Sequence, residues 1–192
     1  MYNRFMKRKF SDKLIYKNPK TTVLVILFEL FWVGVYLAVD LLTKHFIYMP
    51  IAAGAEDITI WKGVLKLVAV ENTGASFGIF QNANEVLSII SIVVVVFLLV
   101  FLIFSVKERN GWLRAALILM IAGGIGNLVD RFMFGYVRDW IYFELIDFAV
   151  FNLADSGLTV GCVLLIIFVI FFYRPEDKKK KSDRIDVDSE QK

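Results

Sequence analysis

The chain has 192 residues, 58% of them hydrophobic and 15% aromatic. Soluble domains are about 45–50% apolar even with glycine counted; this chain exceeds that without its 12 glycines, which excludes an ordinary soluble enzyme. The single cysteine, Cys162, excludes an internal disulfide, and the net charge of +3 informs only through its placement.

Crossing a hydrocarbon core takes about 20 mostly apolar residues. Residues 1–21 form a basic segment carrying Arg4, Lys7, Arg8, Lys9, Lys13, Lys17 and Lys20. A first span is predicted over 22–42. Its apolar run is too long for a signal-peptide core and no small-residue cleavage site closes it, so it reads as retained. It ends in "VDLLTKHF", with Asp40 and Lys44 as neighbours at i,i+4. Glu29, near its middle, belongs to no motif and is given no role: it reads either as a functional intramembrane acid or as one protonated or hydrogen-bonded inside the bundle. Residues 61–70, "WKGVLKLVAV", have strand composition and lead into "ENTGASFGIF", which holds Asn72. Gly63, Gly74 and Gly78 suggest turns or close approach, so a small sheet on the membrane surface is predicted.

The second span is predicted over 86–105, and Lys107 and Arg109 follow it. The third, over 112–129, is interrupted by Gly123, Gly124 and Gly126, which let a neighbouring backbone come close. It ends in "GNLVDR", with Asn127 and Asp130 at i,i+3 and then Arg131. The loop "RFMFGYVRDWIYFELIDFAVF" mixes interfacial aromatics with Asp139, Glu144 and Asp147. The fourth span, 153–173, opens on "FNLADSGL", with Asn152 and Asp155 at i,i+3. Residues 174–192 are almost wholly polar and include "KKKK", a disordered tail by composition. The basic residues collect at both termini and in the 2–3 link, which predicts cytoplasmic termini and two outer loops. The domain reading is therefore 1–21, a four-span body over 22–173, and a 174–192 tail.

The polar residues at the span ends then fall on the outer side. The lone His45 and Cys162 stand at different depths, and no HExxH, GxSxG or phosphate-loop pattern occurs. Carboxylates remain. Two that share a site cannot both ionise easily, so one can act as base toward water while the other donates a proton. Asp155 has no basic neighbour in its segment and is one member of such a pair. Spacing favours Asp139 over Asp130 for the other by a modest margin. Asp130 beside Arg131 and Asp40 before Lys44 are expected to be structural ion pairs. Carboxylates in spans also serve proton-coupled transporters, and a membrane chaperone or lipid-binding protein would use them only to hold its fold.

"DLLTK", "ENTGASFGIF", "GGIGNLVDRFMFGYVRDW" and "FNLADS", in this order over approximately 35–161, closely resemble the lipoprotein signal peptidases, or signal peptidase II. The resemblance implies an all-α membrane fold, four transmembrane helices with a small extracytoplasmic β-sheet cradle at 61–80. It implies an aspartic endopeptidase of the bacterial cytoplasmic (inner) membrane, working near the outer face without cofactor or metal. Such enzymes remove signal peptides from prolipoproteins just before a diacylglyceryl-cysteine. The implied catalytic pair is Asp139 and Asp155. Asp40, Lys44, Asn72, Gly74, Asn127, Asp130, Arg131 and Asn152 would orient the pair, bind substrate or hold the helices. The implied partners are diacylglyceryl-prolipoproteins and membrane lipids, with no nucleic acid, and a monomer suffices. Leu41, Ser76, Arg138 and Trp140 depart from the family's usual residues. Arg138 would depress the Asp139 pKa if it points at that carboxylate, or else reach for headgroups.

Overall fold

The computed structural model describes residues 19–74, 84–107 and 110–173. The basic residues before Pro19, together with Ser76, Gly78, Arg109 and the tail from 174, lie outside the described residues. Among the described residues four helices are long and apolar enough to cross a bilayer: α1 (Pro19–Thr43), α2 (Asn84–Phe104), α3 (Gly111–Phe134) and α4 (Leu153–Phe171). The chain is a multi-pass membrane protein with a three-stranded sheet at one end of its bundle.

α3 is the central helix and packs against all three others. In its apolar window 56% of residues are buried, against 11% to 22% in the other spans, so they present most of their apolar surface outward. Small residues are what allow α3 this position. A Cβ on Gly123 would lie 2.3 Å from the Ala154 carbonyl oxygen of α4, and one on Gly126 would lie 2.5 Å from the Asp40 carboxylate of α1. Val33, Leu98, Leu117, Ile121 and Phe168 belong to the apolar core, whose α3 members precede these glycines. Asn110 caps α3 by accepting from the Trp112 and Leu113 backbone N–H groups, and Gly135, at φ 81°, ends it in a left-handed turn.

The first span runs farther than the 22–42 expectation. After Thr43 it continues as a π-helical segment, Lys44–Tyr48, and a last turn, Met49–Ala52. The residues that suggested its end, Asp40 and Lys44, are buried and paired with each other, so they continue the helix instead of closing it.

The sheet also corrects two expectations. The single strand read over 61–70 is a hairpin of β1 (Ile58–Trp61) and β2 (Leu65–Asn72), turned at Gly63 with φ 75°. The segment assigned to the bilayer interface supplies β3 (Val137–Tyr142), antiparallel to β2 with Val70 opposite Asp139. Asp139 therefore stands on a strand and not in a loop. Mutual hydrogen bonds between Ile141 and Phe151 tie β3 to the residue just before α4.

At the end away from the sheet, Glu29 has a definite partner. Arg114 Nε and Nη2 donate to its two oxygens at 2.5 and 2.7 Å, and Arg114 also reaches Ser105 Oγ and the Leu102 carbonyl. This joins α1, α2 and α3 at one buried point. Breaking a buried ion pair by removing one partner costs about 3–5 kcal/mol, whereas replacing both with apolar groups is often neutral. Arg114→Leu is thus expected to destabilise the protein by about that amount, with Glu29→Leu added to it recovering most of the loss. Thermal unfolding in detergent measures both.

Candidate active site

The site begins at the first turn of α4. Asn152 Oδ1 accepts from the Asp155 backbone N–H at 2.9 Å, and Asp155 Oδ2 accepts from the Asn152 N–H at 3.2 Å. This reciprocal capping box satisfies two otherwise open helix donors and fixes the Asp155 carboxylate. The Asn152 side-chain amide still has its N–H groups to give. It donates to Asp139 Oδ1 at 2.6 Å and to Asn127 Oδ1 at 3.2 Å. One asparagine thus bridges α4, β3 and α3.

Two further amides complete the cradle. Asn72, on β2, donates to Asp139 Oδ2 at 2.9 Å while its Oδ1 accepts from the Gly74 N–H. Asn127, on α3, donates to Asp155 Oδ1 at 2.7 Å. Asp139 and Asp155 line one cavity of about 370 Å³ together with Phe148, Thr159 and Val160. Asp139 also borders a larger cavity of about 600 Å³ beside Glu71, Thr73 and Asp147.

A neutral ionic layer lies beneath the pair. Lys44, with no exposed side-chain surface, places Nζ 2.9 Å from Asp40 Oδ2, 3.0 Å from Asp130 Oδ2 and 3.4 Å from Asn127 Oδ1. Asp40 Oδ1 accepts from the Ala154 N–H at 2.9 Å, another open donor of the α4 start. Asp130 Oδ1 receives Arg138 Nε at 3.0 Å and Nη2 at 2.6 Å, while its Oδ2 receives the Arg138 backbone N–H at 3.0 Å. Two acids are balanced by two bases.

The Asp40–Lys44 pair forms as the spacing suggests, but Asp130 does not pair with Arg131. Consecutive residues on a helix do not face each other. Asp130 points to Lys44 and Arg138, while Arg131 reaches the Gly74 carbonyl at 3.4 Å and lines a small cavity with Asp155. Arg138 does neither thing expected of it. Successive strand side chains leave opposite faces, so it turns away from Asp139, pairs with Asp130 and covers the Phe134 ring at 4.4 Å. Among the described residues Asp40, Lys44, Asn72, Asn127, Asp130, Arg131, Asp139, Asn152 and Asp155 meet in this one network and Arg138 joins it, whereas Glu29 pairs with Arg114 at the other end.

The model of the signal peptidase (SPase) II family matches residues 32–171, well over half of the chain. This protein belongs to the signal peptidase II family. Its similar relatives include the lipoprotein signal peptidase of Streptococcus pyogenes serotype M5 (strain Manfredo), 40% identical over 130 residues, covering 68% of this chain and 84% of the relative. That of Streptococcus thermophilus (strain CNRZ 1066) is 39% identical over 133 residues, or 69% and 86%. A bacterial membrane enzyme solved by the in meso method superposes with a TM-score of 0.61 at 27% identity, covering 83% of this chain and 96% of its own.

In this signal peptidase II chain the Asp139 carboxyl is pushed up to about 7 from its usual 3.8. Burial is the main cause and the facing Asp155 charge the next, with the Asn72 and Asn152 hydrogen bonds and Lys44 opposing them. The folded protein therefore holds a proton that the unfolded chain gives up near pH 4. Stability from this group is fully present below that pH and is lost as pH rises toward about 7. Asp139→Asn is expected to flatten this slope, raising the melting temperature relative to the parent more at pH 8 than at pH 5. Melting curves in detergent across that range check it.

Proposed function

We propose that this protein is an aspartic endopeptidase in which Asp139 and Asp155 share one proton and cleave prolipoproteins just before a diacylglyceryl-cysteine. The observation that carries the reading is a buried carboxylate, Asp139, and a half-buried one, Asp155, on one cavity, the first with a pKa near neutrality. Asp155, ionised between Asn127 Nδ2 and the Asn152 N–H, takes a proton from water as the hydroxyl oxygen attacks the scissile carbonyl carbon. Asp139 gives its proton to the carbonyl oxygen, which becomes a hydroxyl of the tetrahedral intermediate. As the C–N bond breaks, the proton gained by Asp155 passes to the leaving amine. The intermediate's hydroxyl proton returns to Asp139 as the carboxylic product forms. Asn72 and Asn152 keep Asp139 in register throughout.

The sheet end is the outer face in this reading and both termini are cytoplasmic, following the distribution of Lys and Arg. The signal-peptide helix lies along α4 by Thr159 and Val160, while the substrate's acyl chains stay among the lipids. A monomer carries out the reaction without metal or cofactor. The deep acid that a transporter would need, Glu29, is held bidentately by Arg114, which favours the peptidase.

The test is cleavage of a synthetic diacylglyceryl-cysteine prolipopeptide by the purified protein, followed by mass spectrometry. Asp139→Asn and Asp155→Asn should each lower the rate by about 10²-fold or more while still inserting into membranes. The parent should lose activity above pH about 7, as the shared proton leaves. Near-normal cleavage by Asp155→Asn would refute the two-aspartate mechanism.

A further inference from the structure

Asp130 is the junction between α3 and β3, and Arg138 fills most of it. The guanidinium takes one carboxylate oxygen with Nε and Nη2, the main-chain N–H of the same residue takes the other, and the side chain is only 7% exposed. Residue 138 is therefore gripped through side chain and backbone at once, with the Phe134 ring closing the remaining side. The next residue is Asp139. Any slip of β3 against α3 would carry the Asp139 carboxylate away from Asn72 and Asn152.

The charge balance points the same way. Asp40 and Asp130 face Lys44 and Arg138, so the layer under the pair is neutral. Without Arg138, Lys44 alone would serve both acids and the layer would carry one net negative charge. The other charged groups around Asp139 are Asp155 from α4, Arg131 from α3 and Glu71 from β2, opposite Arg138 in the strand register. None of these pairs with Asp130 in place of Arg138.

We propose that Arg138 is a positioning residue for peptide cleavage: it clamps Asp130 so that β3 presents Asp139 correctly and leaves the Lys44 charge available to the aspartate pair. This rests on the two-aspartate reading above. The side chain touches no reacting atom and acts through Asp130.

The experiment compares the full-length parent with Arg138→Met, Arg138→Lys and the double variant Arg138→Met/Asp130→Asn. Each is assayed on the same diacylglyceryl-cysteine prolipopeptide between pH 5 and 9, with melting curves alongside. Arg138→Met should lower kcat about tenfold with little change in KM, and its alkaline limb should move upward by roughly half to one pH unit, because a negative layer favours the protonated Asp139. Arg138→Lys keeps the charge but not the fork, so the limb stays and kcat recovers only in part. The double variant restores neutrality and retains an oxygen for the residue-138 N–H, so the limb returns to its parental position.

A lower melting temperature for Arg138→Met with kcat and the alkaline limb unchanged would overturn the proposal, leaving Arg138 a purely structural contact. A raised KM at constant kcat would overturn it too, because it would put Arg138 on the substrate. If Arg138→Met fails to fold, Arg138→Lys decides: a folded lysine variant with parental kcat refutes the clamp. Failure of the underlying reading looks different, since the parent would then not cleave the peptide, or Asp139→Asn would cleave it as well.

Discussion

Lys44 is an ammonium with no side-chain surface open to solvent, held among Asp40, Asp130 and the Asn127 carbonyl oxygen at the sheet end of a membrane bundle. An isolated charge there would be prohibitively costly; a paired one requires that several elements meet at fixed distances. The first span supplies one anion from α1 and the cation from the π-helical segment after it, α3 the other anion and the amide, and α4 donates its Ala154 N–H to the same Asp40. Three spans are thereby indexed to one atom. Lys44 also decides which way Asn127 faces. With the amide oxygen turned to the ammonium, its N–H group is left for Asp155.

The side chains that hydrogen-bond the two aspartates are uncharged amides, and this division matters chemically. A cation in direct contact with Asp139 or Asp155 would keep both ionised, whereas asparagine amides hold either protonation state. Lys44 and Arg138 bond instead to Asp40 and Asp130, one layer down. Lys44 acts on Asp139 only from a distance, and burial and the second carboxylate outweigh it. Glycine makes the layering possible. A side chain at Gly126 would occupy the space of the Asp40 carboxylate.

Much of this was legible because it is local. Hydropathy locates the four spans, and the i,i+3 and i,i+4 spacings of Asn152 with Asp155 and Asp40 with Lys44 put each pair on one helical face. What escaped was long in sequence or broken in pattern. β3 has buried charges on both faces, Arg138 toward α3 and Asp139 toward the cavity, so it lacks the apolar alternation of a half-buried strand. The partner of Glu29 lies 85 positions away and carries no local mark. Asp130 has a base beside it in sequence, yet its guanidinium partner comes from eight residues on. Proximity along the chain misleads where a helix turns consecutive residues apart.

The π-helical segment at the end of α1 bears on phase. Asp40, Lys44 and Tyr48, each four residues apart, are all buried. On a regular α-helix such a series drifts steadily around the axis, because four residues exceed one turn. The wider i→i+5 turn over Lys44–Tyr48 has the same hand but holds more than four residues, so there the series drifts back the other way. Losing a single residue there would turn Tyr48 and everything after it by about 100°. The hairpin would then leave α1 in a different direction, so the number of residues in this one loose turn sets where the cradle stands over the bundle.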